Sequence, residues 1–101
     1  MIPTRVWEEV GGPDESFAVA FNDVDLCLRI RKAGYLIVWT PYAELYHFES
    51  KSRGLEDTTE KQIRFKGEID HFYERWGDAL KAGDPYYNPH LTLEREDFSF
   101  R

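Results

Sequence analysis

Between residues 59 and 76 the apolar positions recur with helical spacing. Phe65, Ile69, Phe72, Tyr73 and Trp76 stand at i, i+4, i+7, i+8 and i+11, which puts them on one face of a helix that packs onto a core. The run Asp57-Thr58-Thr59-Glu60 has capping-box spacing and opens this helix, the longest expected, which ends near Trp76-Gly77. Near the start of the chain Val6, Trp7 and Val10 share a face, so residues 5–10 read as a short helix. Gly11-Gly12-Pro13 stops it, because glycine takes the left-handed cap and proline cannot continue the helix. A polar loop, Asp14-Glu15-Ser16, and a short apolar segment, 17–21, lead to a third helical pattern that runs to about Ala33 and is stopped by Gly34. Its apolar residues Val24, Leu26, Cys27, Leu28 and Ile30 cover more than half its circumference, so this helix is expected to be largely buried.

The pattern then changes period. Tyr35-Leu36-Ile37-Val38-Trp39 is a continuous apolar and aromatic run between Gly34 and Pro41, the pattern of a strand covered on both faces. Helix, glycine and buried strand make half of a βαβ unit, so the fold class read from the pattern is α/β. A second β-like segment, 43–48, carries His47, and a polar loop covers 50–57. From Gly83 the chain looks irregular, with Pro85 and Pro89 in its first turns. The organisation expected is a single unit: a motif-bearing core at 1–57, the long helix at 58–77 and a tail at 78–101. The opening Met1-Ile2-Pro3-Thr4 has no lead-in and reads as though cut from a longer chain.

Composition narrows this further. A chain of 101 residues that is 42% hydrophobic and 16% aromatic supports a small packed core and argues against disorder throughout. A net charge of −6 argues against a nucleic-acid partner, which needs basic surface. No apolar run is long enough for a transmembrane segment, and no signal-peptide pattern opens the chain. Cys27, the single cysteine, forms no internal disulfide, which fits a cytoplasmic location, and its apolar neighbours suggest a small buried hydrophobe. His71 and His90 read as structural.

The candidate chemistry centres on Phe21-Asn22-Asp23-Val24-Asp25, two carboxylates two residues apart at a helix start. Asn22 or Asp23 is suited to cap that helix, and an anion there sits at the positive end of the helix dipole. A carboxylate so placed can also face a cleft as a general base. His47 has the chemistry of a ligand for a divalent ion that bridges a phosphorylated substrate. Ser50, Lys51, Ser52 and Arg53 form a loop able to hold phosphate oxygens. Each has a plainer reading: a cap, an edge histidine, a solvated loop.

Taken together and in order, the segments 11–15, 21–29, 34–35, 40–41, 46–54 and 83–89 resemble the C-terminal, acceptor-side half of a family 2 glycosyltransferase. The fold this implies is a partial Rossmann-like GT-A domain with a buried strand, two principal helices and an irregular C-terminal tail. Such enzymes carry a Gly-Gly-Phe-Asp-Glu turn and then a Glu-Asp pair whose Asp is the catalytic base, which maps onto Asp23. Here Pro13 stands in place of Phe, a change expected to alter only packing, and Asn22 in place of Glu, which removes a carboxylate beside the base but keeps the base itself. Asn22 and Asp25 are assigned to support on the acceptor side. The resemblance implies His47 at the metal or diphosphate site and the loop Ser50, Lys51, Ser52 and Arg53 near the donor diphosphate. It further implies a divalent metal, Mn or Mg, in the intact enzyme, with none tightly bound to this fragment. A nucleotide-sugar donor and a glycan or lipid-linked acceptor follow from it, in the cytoplasm or at the membrane face. The nucleotide-binding half with its Asp-x-Asp motif is missing, so the fragment is expected to be inactive alone. It is also expected to form a homo-oligomer through its unpaired strand. The alternative from another class is a non-catalytic interaction or assembly module that keeps the scaffold.

Overall fold

The computed structural model of the chain describes residues 1–48 and 58–101. Three helices follow in order: α1, Thr4–Val10; α2, Asn22–Lys32; and α3, Thr59–Ala82. Among the described residues there is no strand, only an isolated antiparallel bridge between Leu91 and Phe100 in the tail.

α1 ends as its sequence dictates. Gly11 adopts φ 79°, and its N–H and that of Gly12 close back on the carbonyls of Glu8 and Trp7. Gly12 also lies at positive φ, and a Cβ there would stand 3.1 Å from the Trp7 ring, so a side chain is excluded by both conformation and space. The start of α2 differs from expectation. Neither Asn22 nor Asp23 caps it; the cap position is Phe21 at φ 63°, with no side-chain hydrogen bond. Phe21 holds this left-handed conformation because its ring is stacked between Phe65 and Phe72 of α3, at centroid distances of 5.9 and 5.0 Å. Packing overrides the local preference for a polar cap.

α3 is capped by Thr58, whose side chain accepts from the Lys61 N–H at 3.3 Å. It runs past Gly67 and Gly77 to Ala82, well beyond the end expected at Trp76-Gly77. Glycine inside a helix costs only about 1 kcal/mol, and the anchors on this face outweigh that.

Two apolar clusters lie against α2. Val6, Leu26 and Ile30 are buried together, with Val10 and Tyr35 packed on them. Phe17, Phe72 and Trp76 form the second cluster, joined by Phe21 and Leu28. α2 is therefore less covered than its composition suggests: Val24 and Cys27 are exposed, so Cys27 is not the buried hydrophobe expected. Leu36, Ile37, Val38 and Trp39 are exposed as well, and form no strand. A strand needs a ladder partner on at least one edge, and no described residue provides one.

Candidate functional site

The two carboxylates of Asp23-Val24-Asp25 have opposite environments. Asp25 has no exposed surface. Its Oδ1 accepts from the indole Nε1–H of Trp76 at 2.8 Å and from an Arg75 amino group at 2.9 Å, while Oδ2 accepts from Arg29 Nε at 2.8 Å. Burial alone would raise its pKa, but the hydrogen bonds from Trp76, Arg29 and Arg75 outweigh burial and hold it below the usual carboxylate value. The remaining donors of Arg29 go to the carbonyls of Val10 and Gly12, at 2.5 and 2.7 Å. Arg75 reaches on to Asp14, 2.6 Å away. Asp14 in turn accepts from the backbone N–H and hydroxyl of Ser16; those two bonds, then Arg75, put its pKa well below the ordinary range. One buried carboxylate thus ties together the end of α1, the turn after it, α2 and α3.

Asp23, two residues earlier, is exposed. Among the described residues its side chain is bonded by the Val24 N–H, at 2.9 Å. It stands in the first turn of α2, where the helix dipole favours the anion. A carboxylate fixed at its backbone, with one oxygen on the Val24 N–H and its surface exposed, can take a proton from a hydroxyl brought against it. Asn22 is half-buried beside it.

The segment that leads into these residues is held by Glu68 of α3, which is 5% exposed. Its two oxygens accept from consecutive backbone N–H groups, Val19 at 2.9 Å and Ala20 at 3.2 Å. Arg64, one turn earlier, lies 3.8 Å from the same carboxylate. Near the turn, His71 stacks on Phe17 at 4.7 Å, and its Nε2 is 3.0 Å from Ser16 Oγ.

His47 is exposed, on backbone without regular structure. Among the described residues no group of three or more His, Cys, Asp or Glu side chains is arranged to hold a metal ion. The expected phosphate loop, Ser50, Lys51, Ser52 and Arg53, lies outside the described residues. Arg29, Glu68 and Arg75 were not singled out by sequence, and Trp76 only as part of the apolar face of α3. Arg29 carried a signal, since Asp25 and Arg29 stand at i and i+4. So did Glu68, a charged residue set between Phe65 and Phe72 on the apolar face of α3.

Comparison with known proteins adds to this geometry. Over 99 residues, 97% of its length, the chain is 54% identical to an uncharacterised protein of Sinorhizobium fredii and covers 11% of that protein. It is 40% identical over 97 residues to the O-antigen biosynthesis protein RfbC of Myxococcus xanthus, of which it covers 7%. Over 54 residues it is 46% identical to an N-acetylglucosaminyl-diphospho-decaprenol L-rhamnosyltransferase of Mycobacterium tuberculosis, covering 54% of the chain and 18% of that enzyme. The similarity is to a segment of a glycosyltransferase. The chain spans about a tenth or less of the length of the first two relatives. No family model matches the chain, and no solved structure does. No helix among the described residues is long and apolar enough to cross a membrane.

Proposed function

We propose that this chain is the acceptor-side part of a larger inverting glycosyltransferase of the family 2, GT-A type, with Asp23 as general base. The observation that carries the reading is the division between the two carboxylates. Asp25 is fully used by the fold, whereas Asp23 is exposed one half-turn earlier on the same rigid helix. In the reaction the acceptor hydroxyl gives its proton to Asp23 as its oxygen bonds to the anomeric carbon of the donor sugar. The bond from that carbon to the diphosphate breaks, and the nucleotide diphosphate leaves with the electron pair. The name of the mycobacterial relative supports a lipid-linked glycan as the acceptor and hence work at the membrane face. The nucleotide-sugar donor would be bound by parts of the longer protein, with the loop Ser50 to Arg53 near its diphosphate. The implied divalent ion does not fit the described residues by themselves, since His47 joins no ligand cluster among them; no step is assigned to it.

In the full-length protein, Asp23→Asn lowers turnover by about a hundredfold or more, the loss associated with a general base, while donor binding survives. Turnover of a radiolabelled nucleotide sugar onto a lipid-linked glycan, with equilibrium binding of the donor measured alongside, checks both halves. Near-normal turnover in the variant would leave Asp23 as part of the scaffold only. A wild-type protein inert toward every nucleotide sugar supplied would favour the non-catalytic assembly module.

A further inference from the structure

We propose that Glu68 is a positioning residue for Asp23, a role that rests on the reading of Asp23 as the base. Asp23 is exposed, yet the chain is anchored to α3 on both sides of it. Downstream by two residues, Asp25 is bonded by Arg75 and Trp76. Upstream, α3 grips three consecutive residues. Glu68 accepts the N–H groups of Val19 and Ala20, and Phe65 and Phe72 enclose the ring of Phe21. Phe65, Glu68 and Phe72 stand at i, i+3 and i+7, one face of the helix. The Phe21 carbonyl then accepts the Asp25 N–H at 2.8 Å, the first helical bond of α2. The direction in which α2 departs, and with it the place of Asp23, is therefore set by where Glu68 and the two rings hold residues 19–21.

The chemistry calls for a carboxylate at position 68. Two backbone donors point at it, one at each oxygen, an arrangement that a carboxylate satisfies with both of its acceptor atoms. A glutamine held in the same position keeps one acceptor oxygen and sets its NH2 against the other N–H, donor against donor, so the two-point grip of Glu68 on this part-buried segment is lost. The segment then shifts by the fraction of an ångström that general-base geometry does not tolerate.

The test is a double-mutant cycle in the full-length protein, with Glu68→Gln, Asp23→Asn and the pair, read as kcat and donor KM. Glu68→Gln alone should lower kcat about tenfold or more with donor KM unchanged, and should lower it no further in the Asp23→Asn background. Amide exchange at Val19 and Ala20 should speed up in both Glu68→Gln proteins. A control of comparable stability loss, Val6→Ala in the cluster on the opposite side of α2, should keep wild-type kcat. Equal losses in both backgrounds, or an unchanged kcat in the single variant, would overturn the proposal while leaving the base reading standing. Wild-type turnover in Asp23→Asn would overturn the base reading and this proposal with it. If Glu68→Gln does not fold, Glu68→Asp, too short to reach both N–H groups, enters the same cycle with the same criteria.

Discussion

Asp25 carries more of the fold than any other polar side chain described here. Removing one member of a buried ion pair costs roughly 3–5 kcal/mol, because the remaining charges lose their compensation. Arg29 and Arg75 keep some contact with water, at 21% and 31% side-chain exposure, so the lower end of that range applies. Asp25→Ala should therefore destabilise by about 3 kcal/mol, read as a drop in urea midpoint at constant slope; a midpoint within error of wild type would contradict the network. The pH dependence follows from the depressed pKa. A carboxyl with a folded pKa below its unfolded value contributes its full stability above the unfolded value. That contribution falls away as pH drops below the ordinary 3.8 and through the folded value. Asp14 titrates with the same sign. Acid unfolding of the wild type should thus steepen only below about pH 4, and Asp25→Asn should flatten that limb.

At the level of elements, what was legible in the sequence was what local chemistry decides. Gly11 as the end of α1 follows from glycine's freedom at positive φ, and α2 stops beside Gly34 as its pattern indicates. Thr58 caps α3, one residue later than the Asp57 to Glu60 spacing suggests. The length of α3 was misjudged because Gly77 reads as a stop, whereas the helix continues past it to Ala82. The cap of α2 was misjudged because Asn22 and Asp23 have ideal side chains for it; two aromatic rings some fifty residues away decide the conformation of Phe21 instead. The burial of Asp25 could not be read from the sequence for the same reason, since its partners Arg75 and Trp76 are distant in the chain. The segment 35–39 shows the opposite case: its composition specifies a strand, and no described part of the chain pairs with it.

At the scale of the molecule that segment is a continuous exposed apolar surface among the described residues. Leu36, Val38 and Trp39 are each more than three-quarters exposed, in a run that no other described residue pairs with as a strand. A run of adjacent exposed apolar residues favours contact with another chain. The isolated 101-residue chain should consequently self-associate, and Trp39→Lys should weaken that association. Light scattering at micromolar concentration checks it, and a monomer at all concentrations would refute it.

The clamp on Asp25 also has a consequence in time. Its Trp76 and Arg75 partners lie 51 and 50 residues further along the chain, and the Glu68 clamp on Val19 spans 49. A ribosome adding about 5–20 residues each second needs several seconds to deliver them. Helix formation takes only microseconds. Throughout that interval α2 has its sequence but only Arg29 for its central carboxylate. The segment bearing Asp23 is thus finished only when α3, the third of these helices, has emerged, and nascent chains stalled after residue 66 should be cleaved by protease between residues 17 and 29. Chains stalled far enough on for all of α3 to emerge should resist. Equal cleavage of both would show that the segment orders itself without its clamp.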